Sequence, residues 1–405
     1  MLNKTKKCVS KCINLPKEKC YKGCVYTRKK YCKLSSKYKM DPKRNCALVL
    51  NLQKLDKTPK LMKIPKKEIV YKKSYSPEVN NFLIQSRNSP KYDIFNAISQ
   101  CMNIDINSFT FEDSILKYYK NPKIKLKNGE CVSYWNENAQ KLFLDNLSKH
   151  NIIDINTLLG PKQSYHNCWF NTGFMINYIS DKGRKFNKYF RQYMITGKSP
   201  NLKPFIKKLR PSLFLLNMAI EATLQGNPIA EIMDTNDIIY DIYQNIPKEF
   251  RENKYIFNIK EFGNPYLYQI SLLNYISNKK NNYFINGKLF FENYKKYEID
   301  YKNDILWIEL SDKESNIHKI KEIIIKNKKY KLDSMLLRDK GQNHVCCFIT
   351  LNNKEYIYDG ANSPTIIEMN WKNKINDNKN FRISKNNIIT WNMCQGYQVL
   401  NYYRV

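Results

Sequence analysis

The chain has 405 residues, 42% of them hydrophobic and 13% aromatic, which is enough for at least one sizeable core and excludes a disordered polymer. Its longest apolar run, Leu213–Ile220, is broken by Asn217 and is too short to cross a bilayer, and the lysine-rich N-terminus lacks a signal-peptide core, so the expectation is a soluble, non-secreted protein. The net charge of +33 is unevenly placed: residues 1–75 carry 23 Lys and Arg against four Asp and Glu.

That basic N-terminal stretch admits two readings. It suits nucleic acid or an anionic surface. Equally, Lys, Asn, Ile and Tyr are all abundant, as an AT-rich coding sequence would produce. Six of the twelve cysteines lie in the first 46 residues. Cys8, Cys12, Cys20 and Cys24 form two C-x3-C pairs separated by seven residues. This spacing permits an antiparallel hairpin with two disulfides or a four-thiolate zinc site. No histidine is near and zinc sites more often use C-x2-C, so disulfides are favoured and zinc stays open. No other cofactor is expected. The later cysteines are scattered, which argues against a chain-wide disulfide framework.

Residues 1–50 thus form a Cys-rich basic module, and 51–77 read as a basic linker with Pro59, Pro65 and Pro77. Residues 78–158 read as mainly helical: Phe95, Ile98 and Met102 recur at helix spacing, as do Ala139, Leu142, Phe143 and Leu147. From Gly160 the texture changes. A loop ends near Cys168, an amphipathic run follows (Phe174, Met175, Tyr178, Ile179), and further helices extend to about Ile246. Strand patterns then cover Ile305–Leu310, Ile320–Ile325, Tyr330–Leu337, Val345–Leu351, Glu355–Asp359 and Tyr397–Arg404. Helices first and strands later predict an α+β domain over 159–405.

The chemistry-bearing candidates fall in this region. Cys168 stands where a loop opens a helix, and the helix dipole there favours a thiolate. Gln163, five residues upstream, can aim an amide N–H at the oxyanion that thiolate attack on a carbonyl creates. Taken alone, a lone cysteine is more often a buried structural residue. Of the four histidines, His166 is too near Cys168 along the chain to reach back, and His318 lies in a charged stretch. His344 directly precedes the apolar run Val345–Leu351. Asn352-Asn353 signals a turn, so pairing Val345–Leu351 with Lys354–Asp359 would bring His344 and Asp359 together at the hairpin's open end. Cys168, His344 and Asp359 then make a nucleophile, base and orienter. Asn362 is the polar neighbour that would take over were Asp359 turned away.

Gly160, Gln163, Cys168 and Asn171-Thr172 resemble the cysteine box of the ubiquitin-specific proteases. Asp234-Thr-Asn-Asp237-Ile-Ile239 is similar to a helix start of that family, and Ile305–Leu310 to the strand before its histidine box. Tyr330–Leu337 with Asn343-His344 resembles that box, Tyr356–Asp359 its aromatic-Asp segment, and Tyr397–Arg404 its closing strand. The resemblance spans about residues 159–405. It implies a papain-like fold, with a helical thumb carrying Cys168 and a sheet palm carrying His344 and Asp359. It implies a thiol-dependent peptidase or isopeptidase acting on ubiquitin or ubiquitin-like conjugates. Four departures stand out: Gln163 replaces an asparagine, Gly360 replaces a supporting aspartate, Asn343 replaces the glycine before the histidine, and no zinc-bearing fingers lie between the boxes. The alternative is a nucleic-acid-associated virion or structural protein that uses a degenerate peptidase domain as a scaffold. The lysine- and asparagine-rich composition would suit a large DNA virus, placing the protein in host cytoplasm or virion.

Overall fold

The structure, a computed structural model, describes residues 24–26, 32–34, 38–41, 46–49, 93–102, 122–149, 153–198, 204–232, 235–251, 264–277, 284–293, 304–325, 327–339, 344–362, 365–383 and 389–405. Cys8, Cys12 and Cys20 lie outside the described residues, and of Cys24 only the backbone is described, so the choice between disulfide and zinc also lies outside them. The linker 51–77, Asp234 and Asn343 lie outside as well.

Two compact units, Met1–Lys67 and Glu68–Val405, divide the chain inside the expected linker. In the first, β1 (Cys24–Tyr26) pairs antiparallel with β2 (Cys32–Leu34), and β3 (Tyr38–Asp41) with β4 (Cys46–Val49).

The second unit begins with α1 (Ile94–Met102), β5 (Lys123–Lys125), β6 (Cys131–Ser133) and α2 (Glu137–Lys149). Within the stretch read as mainly helical, 78–158, β5 and β6 form a hairpin between the two helices. Asn128-Gly129 turns it, with Gly129 at φ +91°, and Ile124 and Val132 face each other from its inward side. Cys101 and Cys131 form a disulfide that ties α1 to β6. Thirty residues of separation gave that pair no local spacing signature.

A helical layer follows. Its members are α3 (Cys168–Phe174), continued by a π turn at Met175–Ile179, then α4 (Asp181–Phe186), α5 (Lys188–Thr196), α6 (Arg210–Gln225), α7 (Ile229–Ile232), α8 (Thr235–Asn245) and α9 (Pro265–Ser277). In α6 every residue from Ser212 to Leu224 is buried. The Asn217 that breaks its apolar run has a partner. Arg191 of α5 donates to the Asn217 carbonyl oxygen at 3.1 and 3.2 Å and pairs with Glu221 one turn further along α6. A buried cation is tolerable only with such compensation.

The eight-stranded sheet comprises β7 (Phe284–Asn286), β8 (Ile305–Leu310), β9 (Glu322–Ile325), β10 (Lys328–Arg338), β11 (Val345–Leu351), β12 (Lys354–Tyr358), β13 (Ile366–Glu368) and β16 (Gln398–Arg404). A short helix, α10 (Gly287–Asn293), follows β7, and a small ladder of β14 (Asn380–Phe381) with β15 (Trp391–Asn392) stands apart. The order is β13–β12–β11–β10–β16–β8–β7, with β9 also on β10, and every pairing but β7–β8 is antiparallel. The expected α+β class therefore describes the molecule. Both sheet faces are covered. Val345, Cys347 and Ile349 of β11 join the helical core, while Cys346 and Phe348 face a second core with Trp371 and Trp391. Burial on both sides explains why β11 reads as one apolar run rather than an alternation.

The β11–β12 hairpin turns at Asn352 (φ +48°) and Asn353 (φ +63°), both left-handed as a tight hairpin turn demands. Asp181, at the start of α4, accepts both turn amides: Asn352 N–H at 3.0 Å and Asn353 N–H at 3.1 Å. The helical layer thus grips one end of the hairpin. Its other end carries His344 and Asp359.

Candidate active site

Cys168 is the first residue of α3, behind the N-cap residue Asn167, and its side chain is 3% exposed. Aromatic contacts fix the helix: Trp169 and Phe170 both pack edge-on against Tyr268 of α9. The loop in front of Cys168 is pinned from two directions. From the helical side, Asn167 donates to Thr235 Oγ1 at 2.7 Å, Thr235 donates to Asn171 Oδ1 at 2.8 Å, and Asn236 donates to Ser164 Oγ at 2.8 Å. From the sheet side, Tyr358 donates its hydroxyl to Pro161 O at 2.6 Å, and Gln163 N–H donates to Gly360 O at 2.9 Å.

That second contact gives Gly360 a physical reason. A Cβ there would lie 2.9 Å from the Tyr358 hydroxyl and 3.2 Å from the Gln163 nitrogen. A Cβ on Gly160 would come within 2.6 Å of the Tyr358 ring. Both glycines let two backbones approach, and an aspartate at 360 would push the loop in front of Cys168 away.

Cys347 pairs with Tyr358 across the hairpin, so the register sets Asp359 opposite Cys346 and one diagonal step from His344. The structure brings the two together: His344 Nε2 lies 2.9 Å from Asp359 Oδ1. Asp359 is fully buried, and three hydrogen bonds offset the cost of burying its charge. Besides His344, Oδ1 accepts Ala361 N–H at 2.9 Å and Oδ2 accepts Asn362 Nδ2 at 2.8 Å. Asn362 therefore supports Asp359 rather than replacing it. Trp391 packs against the imidazole with ring centroids 5.7 Å apart.

The Cys168 thiol hydrogen-bonds the same imidazole. With Nε2 committed to Asp359, Nδ1 is the nitrogen left for the thiol. Burial alone would pull the imidazole down, but its hydrogen bonds with Asp359 and Cys168 outweigh this and push its pKa up to about 10. Such a site stabilises imidazolium beside a sulfur nucleophile.

Gln163 lies beside this group. One of its two amide hydrogens goes to the Tyr165 carbonyl at 3.1 Å, and its Oε1 is buried with no hydrogen-bond partner. His318 is exposed and away from the cluster, and His166 is partly exposed with its pKa lowered by burial. Sequence reasoning missed Trp391 and the polar network from Thr235 and Asn236. The first has no sequence proximity to the site. The second showed only as part of the resemblance, with no role attached. Among the described residues, no three or more His, Cys, Asp and Glu side chains are placed to hold a metal ion, and no helix is long and apolar enough to cross a membrane.

No family model matches the sequence, and a search of curated proteins gave no match. Solved structures show distant likenesses. The SAGA DUB module with Ubp8 bound to monoubiquitin aligns at 8% identity and TM-score 0.38, covering 62% of this chain and 69% of that one. The same module bound to ubiquitin aldehyde aligns at 9% identity and TM-score 0.38, covering 65% and 74%. An essential yeast splicing factor aligns at 10% identity and TM-score 0.37, covering 71% and 74%. Likeness at this distance carries no argument about activity.

Proposed function

We propose that the second unit is a thiol-dependent peptidase or isopeptidase of the ubiquitin-specific protease kind, with a papain-like division into a helical thumb and a sheet palm. The observation that carries the reading is His344, held at Nε2 by the buried carboxylate of Asp359 while the same ring meets Cys168. In this reading His344 already holds the proton as imidazolium, and the Cys168 thiolate beside it attacks the substrate carbonyl. The second amide hydrogen of Gln163 stabilises the oxyanion. The imidazolium then protonates the leaving amine, and water admitted to the emptied side hydrolyses the thioester with His344 as base. Asp359 keeps the ring in one tautomer and stabilises its charged form. The sequence motifs assign the acyl group to the C-terminus of ubiquitin or a ubiquitin-like tag.

The test uses ubiquitin carrying an electrophile at its C-terminus. The full chain should be labelled at Cys168, located by peptide mass spectrometry, and Cys168→Ala should fold normally and remain unlabelled. Labelling at Cys346 or Cys347 instead would sink the assignment. A second reading concerns the basic segment. Its excess of Lys and Arg in residues 1–75 favours an added nucleic-acid-binding role.

A further inference from the structure

The residues just before Cys168 are almost all committed to the fold. Gln163 bonds to Gly360, Ser164 receives Asn236, and Asn167 reaches Thr235. Lys162 is neutralised by Glu231, whose carboxylate lies 2.6 Å from its ammonium.

Tyr165 is different. It adopts φ +51°, in the left-handed region where glycine is at ease and a bulky side chain is strained. Its side chain is 58% exposed, one of four large hydrophobic side chains so exposed among the described residues. The conformation is fixed, because the Tyr165 carbonyl receives the Gln163 amide and the loop is pinned on both sides. Glycine would satisfy this backbone better, and an exposed ring adds little to the core. The fold alone does not account for an aromatic residue here.

A bound partner does. Tyr165 stands three residues before Cys168, and three residues of chain span at most about 10 Å, so its exposed ring lies within the neighbourhood that a chain presenting a carbonyl to Cys168 would occupy. We propose that Tyr165 is a substrate-contact residue whose ring packs on the extended peptide segment flanking the scissile carbonyl. This deepens the peptidase reading and rests on it. With Lys162 already paired and burial favouring neutral His166, the loop offers flat apolar contact rather than charge. Peptide groups and aliphatic side chains suit such a face.

The experiment compares the wild type with Tyr165→Gly and Tyr165→Phe in the full chain. Hydrolysis of a ubiquitin substrate with a fluorogenic C-terminal amide is measured alongside melting temperature and the rate of Cys168 alkylation by iodoacetamide. Tyr165→Gly should melt no lower than the wild type, alkylate at the same rate, and lose about tenfold in kcat/KM, chiefly through KM. Tyr165→Phe should restore the wild-type value. Undiminished kcat/KM in Tyr165→Gly overturns the proposal. So does a loss of activity that tracks a lowered melting temperature, which would make the ring structural. Binding of unmodified ubiquitin to Cys168→Ala, with and without Tyr165→Gly, separates the two claims. A wild type without turnover whose binding still weakens about tenfold on Tyr165→Gly sinks the peptidase reading and keeps the contact. Binding that is absent, or independent of Tyr165, sinks the contact.

Discussion

Asp359 is a carboxylate with both oxygens already assigned. Oδ1 serves His344 and the Ala361 amide, and Oδ2 serves Asn362. Asp359→Asn keeps the shape but replaces one acceptor with a donor, so one of those donors must face another. It also removes the charge that helps hold His344 protonated. The wild-type imidazole sits raised from 6.5 to about 10, so its pairing stabilises the fold fully below pH 6.5 and this contribution is lost as pH rises through 10. In the proposed mechanism the imidazolium is the acid for the leaving amine, so the alkaline limb of kcat/KM should fall near the same value. In Asp359→Asn that limb should move to lower pH, because the lowering effect of burial remains and a raising partner is gone. Turnover should drop by about one to three powers of ten, or ~1.4–4 kcal/mol. An unchanged alkaline limb would remove Asp359 from the site's electrostatics.

The hairpin is the element on which the site depends. Its turn residues Asn352 and Asn353 are read from the sequence as a turn signal, and their positive φ values show why asparagine suits both positions. That His344 and Asp359 meet at the open end, directly opposite or one diagonal step apart, was legible for the same reason: once a two-residue turn is fixed, antiparallel register follows closely. What holds the turn was not legible. Asp181 is 171 residues away from Asn352 and belongs to a different layer. Its role depends on tertiary packing that no local pattern encodes. The same holds for the three-residue strands β7 and β13, which are too short to show alternation. The β5–β6 hairpin, by contrast, carried an Asn-Gly signal that helix periodicity on either side obscured. Asp181→Ala would leave the two turn amides without their carboxylate and break the ion pair with Arg184. Thermal or denaturant unfolding should show a loss of about 1–3 kcal/mol. In the proposed mechanism, activity should fall further than stability explains, since the end that carries His344 and Asp359 shares the hairpin's frame. Equal activity at a temperature where both proteins are folded would uncouple turn from site.

Across the whole molecule, charge and compactness divide at nearly the same place. The first unit ends at Lys67, and the strongly basic stretch ends near residue 75. Removing residues 1–75 should therefore leave probe labelling at Cys168 intact. It should abolish any affinity for DNA or RNA that falls steeply between low and moderate salt, as release of condensed counterions requires. Filter binding at several salt concentrations checks this, and equal retention of nucleic acid by both forms would refute it.

The Cys101–Cys131 bond sets a constraint on the solvent in which this protein works. Cys131 is exposed and Cys101 only partly covered, whereas Cys168 is 3% exposed. The proposed reaction, which depends on a free sulfur, and a scaffold tied by an oxidised pair make opposite demands on the surrounding redox potential. Strong reductant keeps the Cys168 sulfur free but opens the surface tie, whose closed loop is worth about 3–4 kcal/mol by chain entropy. In a form lacking residues 1–75, treatment with a phosphine should lower the melting temperature and leave that of its Cys101→Ser variant unmoved. Activity should peak at an intermediate thiol concentration, so the molecule carries its own upper limit on how reducing its surroundings can become.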